Sequence, residues 1–180
     1  MVSNGDEQSG EWAHPPRGRR VCAAMSTRPL SPHYHVGIVV RDLAAAQMQL
    51  RELLGVTWGP IMHLDATDYR DASGRDVVLP TTICYSVDEP HLELIEELPG
   101  SVWVCNEHSN LHHIGFWSDD LKGDSAVLTG SGCPMQLCGR AGDAAPVSFA
   151  YHGNELGVRI EIVDTEMRDA MSFLFSPGES

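Results

Sequence analysis

The chain has 180 residues, 42% of them hydrophobic and 21% charged, with a formal net charge of −13. That length suffices for one well-buried core or two small ones, and the longest apolar runs fall far short of the roughly 18 residues that a membrane-spanning helix needs. Residues 1–30 hold four arginines against three acids, leaving 8 basic and 22 acidic residues in the body, near −14. Such a body repels nucleic acid and anionic membrane surfaces and offers few cations to a polyphosphate ligand. Five scattered cysteines form no CxxC, the pattern of a reduced intracellular protein, so the expected compartment is the cytoplasm.

Residues 1–30 carry Gly, Ser, Pro and Arg without periodic apolar positions, which predicts a disordered extension. Arg19-Arg20 is followed by too short an apolar stretch for a secretory or twin-arginine signal, and Met25 offers an alternative start. Residues 31–175 are expected to form one domain.

The β-branched run from His35 to Val40 predicts a buried strand. Asp42 is placed to cap a helix over Leu43–Leu54, with Leu43, Ala46, Leu50, Leu53 and Leu54 on one face and Gly55 at its end. Three strands are expected next, around Val56–Ala66, Asp76–Val87 and His91–Glu97. A linker over 99–110 contains Pro99, Gly100 and Asn106. The second half repeats the order: a strand at Leu111–Trp117, a helix capped by Asp119 or Asp120 and ended by Gly132, then strands at Met135–Arg140, Val147–His152 and Val158–Asp164. Met167, Ala170, Met171 and Leu174 fall at helical spacing in a 165–175 tail that would pack over the core or against a second copy of the chain, as in a homodimer.

The two halves, modules 33–98 and 111–164, look like copies of each other. His35, Gly37 and Asp42-Leu43 recur as His113, Gly115 and Asp120-Leu121 at a constant offset of 78 residues. Each strand also has a later counterpart carrying a glutamate, Leu92-Glu93-Leu94-Ile95 and Ile160-Glu161-Ile162-Val163. This is an internal duplication. Residues two apart on a strand share a face, so each half can aim one His and one Glu at a common centre while aliphatic residues fill the other face. One Glu flanked by leucines is ordinarily the solvent-side residue of its strand. Two in equivalent places, each with an equivalent His, favour a shared metal ion, although duplication of the fold would preserve the same pattern.

Together, His-Val-Gly-Ile-Val-Val-Arg-Asp-Leu, Leu-Glu-Leu-Ile-Glu, Leu-His-His-Ile-Gly-Phe-Trp and Arg-Ile-Glu-Ile-Val-Asp resemble the vicinal oxygen chelate superfamily over roughly residues 33–164. That superfamily includes glyoxalase I, methylmalonyl-CoA epimerase, fosfomycin-resistance proteins, extradiol dioxygenases and metal-free bleomycin-binding proteins. The resemblance implies an α+β fold in which two βαβββ modules form a curled, mixed eight-stranded sheet around a divalent metal. It puts the ligands at His35, Glu93, His113 and Glu161, and the ion would be Zn, Ni, Co, Mn or Fe. Glu93 adds a carboxylate to the two-histidine, one-carboxylate set of the dioxygenases and resembles the bacterial glyoxalase I pattern.

The implied chemistry is an isomerase or epimerase reaction, proton transfer beside a carbonyl, with Glu161 as base and Glu93 on the opposite face. Two alternatives stand: a non-catalytic small-molecule binder of the bleomycin-resistance type, and a ring-cleaving dioxygenase. Leu-His-His-Ile resembles the epimerase branch, yet CoA phosphates call for basic partners and the body's eight cations form no cluster. A small or apolar carbonyl compound is a further candidate beside a thioester. Trp117, on the face of His113, and Tyr151 or His152 are candidate substrate contacts, though core packing explains each as well. His112 could match the ligand spacing as His113 does; alignment with His35 selects His113 and leaves His112 as a structural or surface residue.

Overall fold

The structure, a computed structural model, describes residues 30–178; the extension expected to be disordered lies almost wholly outside them. The first module runs β1 (His33–Val40), α1 (Leu43–Leu54), β2 (Met62–Asp71), β3 (Asp76–Tyr85) and β4 (His91–Glu96). The second runs β5 (Leu111–Ser118), α2 (Leu121–Gly130), β6 (Met135–Ala141), β7 (Ala144–His152) and β8 (Arg159–Asp164). A tail follows: α3 (Met167–Met171) and a 3-10 turn at Ser172–Phe175.

The strands close into a barrel in the order β1-β4-β3-β2-β6-β7-β8-β5. Pairings β1 with β4 and β5 with β8 are parallel, and the others are antiparallel. Each parallel crossover carries a helix on the barrel's outer surface, the usual solution for joining parallel strands. The Asp-Leu of the repeat explains why each helix starts where it does. Asp42 accepts from the Ala45 amide at 2.8 Å and Asp120 from the Gly123 amide at 3.0 Å. The following leucines, Leu43 and Leu121, are buried beneath the helices.

Strand alternation divides the core into three parts. Ile38, Val40, Leu92 and Leu94 face α1, packing with Leu43, Ala46 and Leu50. Ile160, Ile162, Ala150 and Cys138 do the same beneath α2. Inward positions Val39, Ile95, Tyr69, Leu137, Trp103 and Tyr151 fill the barrel.

Two expectations shift. Leu53 and Leu54 are exposed, because α1 meets the barrel only through its first turns. Strand β2 starts at Met62 rather than Val56: Trp58 is buried against α1, its indole N–H donating to the Gln47 carbonyl at 3.0 Å, and Pro60 supplies no amide to a ladder. The apolar tail folds back over the barrel, where Leu174 is buried and Phe175 stacks on His91 with ring centroids 4.0 Å apart.

Candidate metal centre

The register of four neighbouring strands builds the site. In one row, Glu93 on β4, Gly37 on β1 and His113 on β5 lie side by side; in the next, Glu161 on β8, Gly115 on β5 and His35 on β1 do the same. A glycine therefore separates each histidine from a glutamate. A Cβ added at Gly37 would fall on the His113 ring, and one at Gly115 on the His35 ring. The glycine of the repeat is thus the floor on which the other module's imidazole lies.

Both shortest contacts cross the duplication: His35 Nε2 is 2.8 Å from Glu161 Oε2, and His113 Nε2 is 3.0 Å from Glu93 Oε2. Same-module pairs are longer, at 3.5 Å for His35 with Glu93 and 3.3 Å for His113 with Glu161. The imidazole Nε2 atoms are 2.6 Å apart. All four residues are buried, and their ligand atoms lie within 4.8 Å of one another.

Neighbouring side chains set the chemistry of these atoms. His112 Nε2 is 3.0 Å from the Val102 carbonyl, which can only accept, so that nitrogen carries the proton and His112 Nδ1 is left as an acceptor. His113 Nδ1, 2.9 Å away, donates to it and leaves His113 Nε2 with its lone pair turned into the cluster. The Tyr85 hydroxyl donates to Glu93 Oε1 at 2.6 Å. Among the described residues Glu161 has the two imidazoles as its partners.

Both imidazole Nε2 atoms thus face Glu93 Oε2 and Glu161 Oε2, which are buried and without a hydrogen bond. Such a group could hold a cation. Without a metal, protons fill that role. Burial alone would lower the His113 pKa, but the Glu161 and Glu93 carboxylates outweigh it and lift it to about 9. His35 is raised by the same contest. Burial opposes ionisation of the two carboxylates, yet the paired imidazoles hold both below the usual carboxylate range. Two imidazoles and two carboxylates are a fitting donor set for a divalent ion of the Zn, Ni, Co, Mn or Fe kind, and separations near 3 Å suit neighbouring ligands at metal distances of about 2.0–2.2 Å.

Glu93 and Glu161 line a cavity of about 320 Å³ inside the barrel, roofed by the tail. Tyr151 lies on its wall. Trp117 lies outside the lining, stacked on Tyr34 at 3.9 Å with the Arg168 guanidinium 4.9 Å over its ring. His152 points the other way, fully buried between Cys133 and Ser125, with its Nδ1 2.8 Å from the Cys133 carbonyl and its Nε2 3.0 Å from the Ser125 hydroxyl.

Sequence reasoning missed Tyr34 and Tyr85; His112, expected as a structural or surface residue, is buried and hydrogen-bonded to the His113 ring. Parity puts Tyr34 outside, but a register shift between His33 and His35 lets both Tyr34 and His35 face inward. Tyr85 stands opposite Glu93 in the β3–β4 ladder, a pairing readable only once that register is known.

The sequence over residues 34–151 matches the glyoxalase/bleomycin resistance protein/dioxygenase superfamily. No curated protein matches it. Among solved structures, a variant of Streptomyces coelicolor methylmalonyl-CoA epimerase in complex with 2-nitronate-propionyl-CoA is similar at 19% identity and a TM-score of 0.55, over 76% of this chain and 95% of that one. The methylmalonyl-CoA epimerase of Mycobacterium tuberculosis is similar at 18% identity and 0.52, over 78% and 92%. At that identity the likeness is one of fold. With two βαβββ modules closed around a buried His/Glu cluster and the match covering most of its length, the chain belongs to the glyoxalase/bleomycin resistance protein/dioxygenase superfamily.

Proposed function

We propose that the protein is a metal-dependent isomerase or epimerase that moves a proton beside the carbonyl of a small chelating substrate. The observation that carries this reading is that both carboxylates of the His35, Glu93, His113 and Glu161 cluster also line the cavity. A divalent ion bound there would draw electron density from a substrate carbonyl and acidify the neighbouring C–H.

The chain's own residues then divide the work. Glu161, partnered by the imidazoles alone among the described residues, takes the proton from the carbon. Glu93, fixed by the Tyr85 hydroxyl, serves the opposite face. Return of the proton from Glu161 to the adjacent carbon gives isomerisation; when Glu93 enters the cycle protonated, delivery of its proton to the other face gives epimerisation, with the abstracted proton left on Glu161. His112 holds the His113 ring in the tautomer that presents Nε2. The roof of apolar tail residues keeps bulk water from the carbanionic stage. The epimerase neighbours support this reaction type.

The test is turnover of α-hydroxycarbonyl and thioester compounds in D2O, with deuterium at the α-carbon followed by NMR. Glu161→Gln should abolish exchange while retaining some metal. Full exchange in that variant would take Glu161 out of the mechanism.

A further inference from the structure

The cavity says more about the substrate than the metal cluster does. Its wall is aromatic, from Tyr34, Tyr69, Tyr85, Trp103, Phe149 and Tyr151, and its ionisable acids are Glu93 and Glu161. None of the eight Lys and Arg side chains in the described residues lines it. At about 320 Å³ it lies at the lower end of the roughly 300–1,000 Å³ range of small-molecule sites.

The tail supplies one side of the cavity. Met167, Met171, Phe173 and Leu174 form part of the lining. The Phe175 ring is stacked on His91, Gly178 donates to the Trp58 carbonyl at 3.1 Å, and the Leu174 carbonyl lies where any Gly59 side chain would be. These ties bind the tail to β4 and to the β2 approach, across the barrel.

Of the four tyrosine hydroxyls on the wall, one has no hydrogen-bond partner among the described residues. The Tyr69 hydroxyl pairs with Thr81 at 2.8 Å, Tyr85 donates to Glu93, and Tyr151 accepts from the Trp103 indole at 3.5 Å. The Tyr34 hydroxyl is buried and makes no hydrogen bond. Buried hydroxyls normally find a partner. Tyr34 lines the cavity, and its phenolic O–H can donate to a ligand oxygen there.

We infer that the substrate is a small carbonyl compound with no CoA, nucleotide or peptide carrier: adjacent oxygens at the His/Glu end, an uncharged aliphatic or aromatic body against the tyrosines, and a hydrogen bond from the Tyr34 hydroxyl to one of its oxygens. This rests on reading the cluster as the metal centre of a carbonyl-chelating site. An apolar wall repays burial of an uncharged body, whereas a polyanionic carrier would meet carboxylates and no cation.

The test is isothermal titration of the metal-loaded full chain with 2-hydroxyacetophenone and, separately, with propionyl-CoA. The hydroxyketone should bind at least about tenfold more tightly. Tyr34→Phe should weaken its binding about 3- to 10-fold, the range of one ordinary hydrogen bond, with metal affinity unchanged. Equal or tighter binding of propionyl-CoA overturns the ligand class, and that comparison uses the wild-type protein alone. Unchanged hydroxyketone binding in a folded Tyr34→Phe variant overturns the role of the hydroxyl. A chain that takes up no metal yet binds the hydroxyketone with the same Tyr34 dependence retains the ligand class and loses the metal-dependent reading. A metal-loaded chain that exchanges only a thioester's α-proton does the reverse.

Discussion

His113 reaches Glu93 across the bare backbone of Gly37, with Nε2 3.0 Å from Oε2. His35 reaches Glu161 across Gly115 in the same way. The two modules therefore build the centre by exchanging partners, and neither half holds a complete close pair of its own.

Gly37→Ala should displace the His113 ring, since the new methyl group would occupy its place. The expected result is at least a tenfold loss of metal affinity by equilibrium dialysis, together with a lower unfolding temperature. Gly130→Ala is the matched control: it sits in α2 with open space around it and should raise helix stability by up to about 1 kcal/mol. Wild-type metal affinity in Gly37→Ala would contradict the packing described.

Duplication, the His/Glu pair of each half and the two helix caps were all legible in the sequence, because each is a local pattern repeated at one spacing. The crosswise pairing was not. It depends on the antiparallel register of β1 and β5, which sets His35 beside Gly115, and no local signal fixes that register. Tyr34 was hidden by a bulge that breaks parity, and the roofing role of Leu174 and Phe175 depends on where the tail returns.

His112 should act through His113. Removing its acceptor with His112→Leu should cost about 10- to 100-fold in metal affinity, the usual range for a partner that orients a ligand. His112→Asn, whose amide oxygen can accept from His113 Nδ1, should recover part of that loss. Equal metal affinity in the leucine and asparagine variants, both folded, would show that the hydrogen bond does not matter.

Protons compete with the metal. With the His113 pKa raised to about 9 and that of His35 also raised, the metal-free imidazoles are charged at neutral pH and must lose protons before they can ligate. Metal affinity should therefore climb as pH rises towards 9, with proton release detected by titration in buffers of different ionisation enthalpy. The metal-free fold should show the opposite trend. A raised histidine pKa stabilises fully below its unfolded value near 6.5, and that contribution is lost as pH rises through about 9. Thermal unfolding temperatures of the metal-free protein that do not fall between pH 6.5 and 9.5 would contradict this assignment.

Glu93→Gln separates proton transfer from ring cleavage. It should cost activity in α-proton exchange, because the proposed reaction has Glu93 serve one face and contribute a ligand. Oxygen consumption with bound iron and an unimpaired Glu93→Gln variant would favour the dioxygenase chemistry of this superfamily instead.

The most direct measurement is metal content after mild purification and reconstitution, for the wild-type chain and for His35→Ala, His113→Ala. The centre described requires close to one divalent ion per chain in the wild type and loss of that ion in the double variant. A wild-type protein that binds no stoichiometric metal under any of these conditions would contradict it.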